Sequence, residues 1–227
     1  MKNSPNPWCS LPYEIYEKHM GHENVKQLEM LQRIVRDQLA LVEKLDKPVV
    51  AMLGITDGNG LTHVQPGAYE AVIGLEINRE YLDICRKRYA YLPELALYQI
   101  DLMTEKDRAA VLLNGADLIT ANLLVKHIHL DNFIDIVGRL TKPIVSVTQQ
   151  FNPDGQPVSR SGLEAEFDEI QRHGEACGEE ALTAAMRGTG YALFGRAEYG
   201  LPNGKIFIRL DYRRRETQPE SRKVEEH

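Results

Sequence analysis

Five apolar runs alternate with helical stretches, and each run is closed by a glycine, an acid or a polar amide. No other feature of this sequence restricts its fold as much. The runs are Val49–Leu53 before Gly54, Ala71–Leu75 before Glu76, Leu95–Ile100 before Asp101, Asp117–Ala121 before Asn122, and Pro143–Val147, which ends near Gln149. Continuous apolar runs suit strands buried on both faces of a parallel sheet. Between them, Arg79–Tyr89 follows Asn78, a good N-cap, and Thr104–Leu113 opens on a near capping box. Leu130–Leu140 carries one apolar face. This order predicts an α/β fold, a mostly parallel sheet with helices on both faces. Tyr191–Glu198 and Lys205–Tyr212, joined through Asn203-Gly204, predict a C-terminal antiparallel hairpin.

Before the first strand, Tyr13–Met20 reads as a short helix stopped by Gly21. A longer helix is expected from Asn24, its cap, to Leu45, with Val25, Leu28, Leu31, Val35, Leu39, Val42 and Leu45 at helical spacing. Gly162–Gly174 and Glu179–Arg187 also read as helices. The expected organisation is a helical arm or lid over 1–46, a core domain over 47–212, and a charged, disordered tail over 213–227.

The chain has 227 residues and a net charge of −6. That length fits one domain, and the acidic balance argues against nucleic acid as main partner. Cys9, Cys85 and Cys177 form neither a disulfide framework nor a C-x-x-C metal pattern, so no metal is expected. Met1–Trp8 lacks a signal-peptide pattern, and no apolar run reaches the roughly 20 residues that span a bilayer. The expectation is a cytoplasmic protein without membrane association, for which homodimerisation is an allowed assembly.

Three strand ends carry ligand chemistry. Gly54-Ile55-Thr56-Asp57-Gly58-Asn59-Gly60 follows the first run, and glycines let backbone N–H groups approach a ligand. Glu76 lies 22 residues on, where an acid accepts from ribose hydroxyls; the alternative is a helix N-terminal charge. Asp101-Leu102 closes the third run, where a carboxylate can accept from an adenine amino group; the alternative is a charge at the next helix start. Together they describe a nucleotide site across successive strand ends. A dinucleotide reductase would show a full G-x-G-x-x-G, which is absent.

With these residues the chain resembles the class I S-adenosylmethionine-dependent methyltransferases, Rossmann-like proteins, over about residues 49–212. Gly58-Asn59-Gly60-Leu61 and the segment Tyr13 to Met20 are similar to a bacterial subgroup of uncertain substrate. The resemblance implies S-adenosylmethionine as cofactor and a small-molecule acceptor. It implies that Gly54, Ile55, Thr56, Gly58, Asn59 and Gly60 hold the methionine end, Glu76 and Ile77 the ribose, and Asp101 with Leu102 the adenine. The sequence departs from the family pattern where Met52 replaces an acid and Thr56 a glycine. A non-catalytic S-adenosylmethionine- or S-adenosylhomocysteine-binding relative is therefore the alternative.

Methyl transfer is a direct displacement that needs alignment, and a base only when the acceptor must lose a proton. Asn122 is the candidate polar group near the methyl or the cofactor's amino-acid end, or else a cap for the next helix. His127 is the candidate base, or else a surface group. Gln149 is a candidate acceptor contact. The resemblance implies that the arm closes over the site, with Tyr13, Tyr16 and His19 facing the ligand and Gly21 as hinge; the alternative is aromatic packing.

Overall fold

The computed structural model describes residues 6–141, 143–153, 155, 159 and 161–215. The elements run α1 (Tyr13–Met20), α2 (Gln27–Leu39), β1 (Val49–Leu53), β2 (Ala71–Glu76), α3 (Arg79–Arg88), β3 (Leu95–Gln99), α4 (Lys106–Leu113), β4 (Leu118–Asn122) and α5 (Val125–Ile128). They continue with α6 (Leu130–Gly138), β5 (Ile144–Phe151), α7 (Asp168–His173), α8 (Glu179–Gly188), β6 (Tyr191–Gly200) and β7 (Ile206–Arg214). The seven strands form one sheet in the order β3-β2-β1-β4-β5-β7-β6. The first five are parallel, and β7 inserts antiparallel between β5 and β6. The expected mostly parallel sheet and C-terminal hairpin are both present.

Alternate residues of each strand serve opposite faces. Ala51, Leu53, Ile119, Ala121, Val145 and Val147 pack against α4, α6 and α8 through Leu113, Phe133, Val137, Leu182 and Met186. Val50, Met52, Val72 and Leu118 pack against α2 and α3 through Val35, Leu39, Leu82 and Cys85. A third cluster joins α1 to the rest: Tyr13, Tyr16 and Met20 pack with Leu31, Ile34, Tyr81, Phe167 and Phe207. At about 25 cal/mol per Å² of apolar surface, such burial holds each layer to the sheet.

The boundaries of α2 and β7 differ from expectation. α2 begins at Gln27, because His22–Lys26 form a turn in which Val25 and Lys26 N–H bond to the His22 carbonyl and Lys26 takes φ +46°. That turn buries Val25 without a helix, and Asn24 caps nothing. α2 ends at Leu39, and the chain turns so that Val42 is buried while Leu45 is exposed. β7 runs on to Arg214, whose guanidinium reaches the Gly138 carbonyl at 2.6 Å, so Arg213 and Arg214 are strand. Residues 216–227 of the expected tail lie outside the described residues. Among the described residues, no helix is long and apolar enough to cross a membrane.

Candidate functional site

A cavity of about 630 Å³ lies over the C-terminal ends of β1 to β5. That is where ligands bind open α/β sheets, at the point where strand order reverses, here between β1 and β4. Its first half is built by the ends of β1, β2 and β3. Gly54 takes φ +65°, and the N–H groups of Gly54 and Ile55 both bond to the Leu75 carbonyl, folding the loop tightly onto β2. Thr56 adopts φ +54°, the backbone a glycine would take, so the loop shape persists without the glycine. Its N–H donates to Glu76 Oε2 at 3.0 Å, and its hydroxyl donates to the Ile55 carbonyl.

Glu76 is buried. Its Oε1 accepts from the N–H of Ile77 at 2.8 Å and of Asn78 at 2.9 Å. Burial raises its pKa above the ordinary carboxylate value, against the pull of these three N–H donors. Three of roughly four acceptor positions are thus filled, and one on Oε2 remains. Asp101 accepts from Met103 N–H at 2.9 Å through Oδ1 and lines the same wall with Ile77 and Leu102.

Several expected residues meet here. Gly54, Ile55, Thr56, Asn59, Glu76, Ile77, Asp101, Leu102, Asn122, His127, Gln149, Tyr16 and His19 all line the cavity. Gly58, Gly60 and Tyr13 do not. A Cβ on Gly58 would stand 2.3 Å from Tyr89, and one on Gly60 2.4 Å from Val35, so both glycines make room for core side chains, not for a ligand. Tyr13 lies on the far side of α1. Its hydroxyl donates to Glu17 at 2.7 Å and sits 3.0 Å from the buried Asp57 carboxylate, which also pairs with Arg88. Burial, first of all, raises the Tyr13 pKa, so its hydroxyl stays protonated. Tyr16 points the other way and accepts from Asn59 Nδ2 at 2.8 Å. His19 shares a 2.6 Å hydrogen bond with Ser161 and stacks on Phe167.

The second half lies over β4 and β5. Asn122 is no helix cap. It forms a reciprocal amide pair with Gln38 of α2 at 2.9 and 3.0 Å and accepts from Thr148 Oγ1 at 2.7 Å. Gln38 also donates to Ser146, which donates to Asp211, which pairs with Arg209. This buried polar chain ties α2 to β4, β5 and β7 and leaves Asn122 one amide hydrogen for a ligand. Gln149 donates to the Cys177 carbonyl at 2.9 Å, anchoring the segment before α8.

His127 is buried, not a surface group. Trp8 meets it edge-on at 5.0 Å, and its Nδ1 has no hydrogen-bond partner among the described residues. Burial, then the charges of Lys126, His173 and His129, hold its pKa well below 6.5, so the imidazole is neutral in the folded protein. Unfolded chains protonate it below pH 6.5 and the folded chain does not, so acidification through that range favours unfolding. Denaturation at pH 7 and pH 5 is expected to show lower stability at pH 5. His127→Gln should flatten that slope by up to about 1.4 kcal/mol per pH unit. An unchanged slope would mean that His127 is protonated in the fold.

Trp8, Gln27, Gln38, Phe167 and Ile170 were not singled out from sequence. Trp8 stands on a 3-10 turn, Pro7–Cys9, and its carbonyl accepts from Asn78 Nδ2. It therefore bridges from the end of β2 to His127 after β4. Gln27 and Gln38 were legible in principle. With Leu31 and Ile34 they form the stripe i, i+4, i+7, i+11 of α2, the face turned inward.

The fold is that of the class I methyltransferases. Magnesium protoporphyrin IX methyltransferase from Synechocystis PCC 6803, solved with bound S-adenosylmethionine, is similar at a TM-score of 0.62, 13% identity and coverage of 92% of this chain and 93% of that one. The cyclopropane synthase MmaA2 from Mycobacterium tuberculosis gives 0.64 at 11% identity over 92% and 96%. The [4+2]-cyclase SpnF gives 0.59 at 14% identity over 84% and 82%. No protein-family model and no curated protein matches the sequence.

Proposed function

We propose that this protein transfers a methyl group from S-adenosylmethionine to a small-molecule acceptor. The observation that carries the proposal is the convergence of the Gly54 loop, Glu76 and Asp101 on one wall of the cavity. Ribose hydroxyls would use the remaining position on Glu76 Oε2, and Asp101 Oδ2 would take the adenine amino group. The methionine end would lie over Gly54–Thr56, directing the methyl towards Asn122 and the β4–β5 half. The chain's own part in the displacement is alignment and exclusion of water. His127, neutral in the fold, can accept a proton from an acceptor that must lose one.

In this reading the arm is a lid, with Trp8, Tyr16, His19 and Met20 as its inner surface. Trp8 is the only tryptophan of the chain, and its buried indole N–H has no partner among the described residues. Binding of S-adenosylhomocysteine is therefore expected to change Trp8 fluorescence saturably, with S-adenosylmethionine competing and NAD not. Preferential binding of NAD, or no binding of either adenosyl ligand by calorimetry, would sink the proposal. Binding with a silent Trp8 would remove only the lid.

A second reading is a non-catalytic binder of the same ligands. Met52 favours it, because an apolar side chain lines the cavity where the resembling family places an acid. Transfer of label from methyl-labelled S-adenosylmethionine into the small-molecule fraction of a cell extract separates the two readings.

A further inference from the structure

Among the described residues, the β4–β5 half of the cavity contains one cation without a paired anion. Lys126, in α5, lines the cavity and is partly buried. Its side chain makes no hydrogen bond and no ion pair with any described residue. The three carboxylates that line the cavity are engaged elsewhere. Glu76 is held by backbone N–H groups, Asp101 by Met103 N–H, and Glu175 lies 3.6 Å from His129. Burial first, and then the one charge it feels, the ammonium of Lys205, lower the Lys126 pKa from the ordinary lysine value. Lys205 precedes β7, where Ile206 pairs with Phe151 at the end of β5, so the ammonium that Lys126 feels stands on the β5 side of the cavity. Apolar surface surrounds this half: Met20, Phe167 and Ile170 belong to one cluster, with Leu123 packed against it.

A half-desolvated ammonium facing an apolar cavity, with no anion of its own, is costly to keep. A ligand that brings one negative charge on an apolar body removes that cost. We infer that the methyl acceptor is a small apolar carboxylate whose carboxylate pairs with Lys126. A single cation matches a single charge, and the apolar walls match the remainder of the molecule. The inference rests on reading the β4–β5 half as the acceptor side of a methyltransferase.

The test uses the full chain saturated with S-adenosylhomocysteine and two matched pairs of probes: 3-phenylpropanoate against 3-phenylpropanamide, and octanoate against octanamide. Calorimetry is expected to show at least one acid binding about tenfold or more tighter than its amide, the scale of a charge-assisted hydrogen bond. Lys126→Met should reduce that preference to within about twofold, and Lys126→Arg should retain it, with affinity for S-adenosylhomocysteine unchanged in both. No acid preference in the native protein, or a preference that survives Lys126→Met, overturns the inference. So does a Lys126→Met protein that loses affinity for S-adenosylhomocysteine but not for 5′-methylthioadenosine, because the ammonium would then serve the cofactor's carboxylate. If S-adenosylhomocysteine fails to bind the native protein, the methyl-transfer reading fails separately, and the acid preference is read on the ligand-free chain.

Discussion

Replacing Glu76 by alanine is expected to lower affinity for S-adenosylhomocysteine a hundredfold or more and to destabilise the ligand-free protein as well. The second effect would not follow from the loss of a ribose contact alone. The carboxylate accepts from the N–H groups of Thr56, Ile77 and Asn78, and thereby ties the loop after β1 to the start of α3. Alanine leaves all three donors unpaired, each at about 1–3 kcal/mol. Some of that returns, because the substitution also removes a buried charge whose pKa burial has raised. A net loss of about 3 kcal/mol remains, or roughly 6–12 °C in a domain of this size. The affinity falls further than one ribose bond would take it, because the Thr56 loop loses its anchor. Glu76→Gln is no conservative control, since one oxygen becomes an N–H donor facing another donor. Calorimetry and denaturant titration measure the two effects separately. A folded Glu76→Ala protein with native affinity would exclude the ribose role, and an unchanged midpoint would exclude the anchoring role.

The strands were the most legible part of this chain. A strand buried on both faces, such as Val49–Leu53, writes itself as an unbroken apolar run, and Asn203-Gly204 marks the hairpin of β6 and β7. Helix ends were less legible, because the apolar spacing of Val25 and Val42 is satisfied by turns as well as by helix, while Leu45 is left exposed. At the site, residues attached to strand ends were found, since their backbone fixes where they stand: Gly54, Glu76, Asp101 and Asn122 all line the cavity. Residues that arrive from a distance were not. Trp8 reaches the cavity only because its carbonyl is held by Asn78, a bond across 70 positions in sequence. Tyr13 and Tyr16 looked equivalent, and only the packing of α1 turns one to Asp57 and the other to Asn59.

The glycines of the β1 loop separate in the same way, and this yields the second large effect. Gly60→Ala is expected to cost about 3 kcal/mol or more while leaving cofactor affinity near native in whatever remains folded. Gly60 takes φ +85°, which a Cβ disfavours by roughly 1–2 kcal/mol. That Cβ would also stand 2.4–2.7 Å from three atoms of the buried Val35, at the contact that holds α2 to the loop. Overpacking of this kind adds about 1–3 kcal/mol. Gly54→Ala should show the opposite signature. Its φ of +65° carries similar strain, but the nearest atom, at 3.1 Å, is the tip of Leu124, a cavity-lining side chain that can move. The added methyl then occupies the wall where the methionine end would lie. Stability should fall by only about 1–2 kcal/mol, while affinity for S-adenosylhomocysteine falls about tenfold or more, as when a bulky group is forced into a packed contact. Denaturant midpoints and titration calorimetry on the two variants decide the matter. If Gly60→Ala lost affinity without losing stability, the loop's last glycine would belong to the binding surface after all.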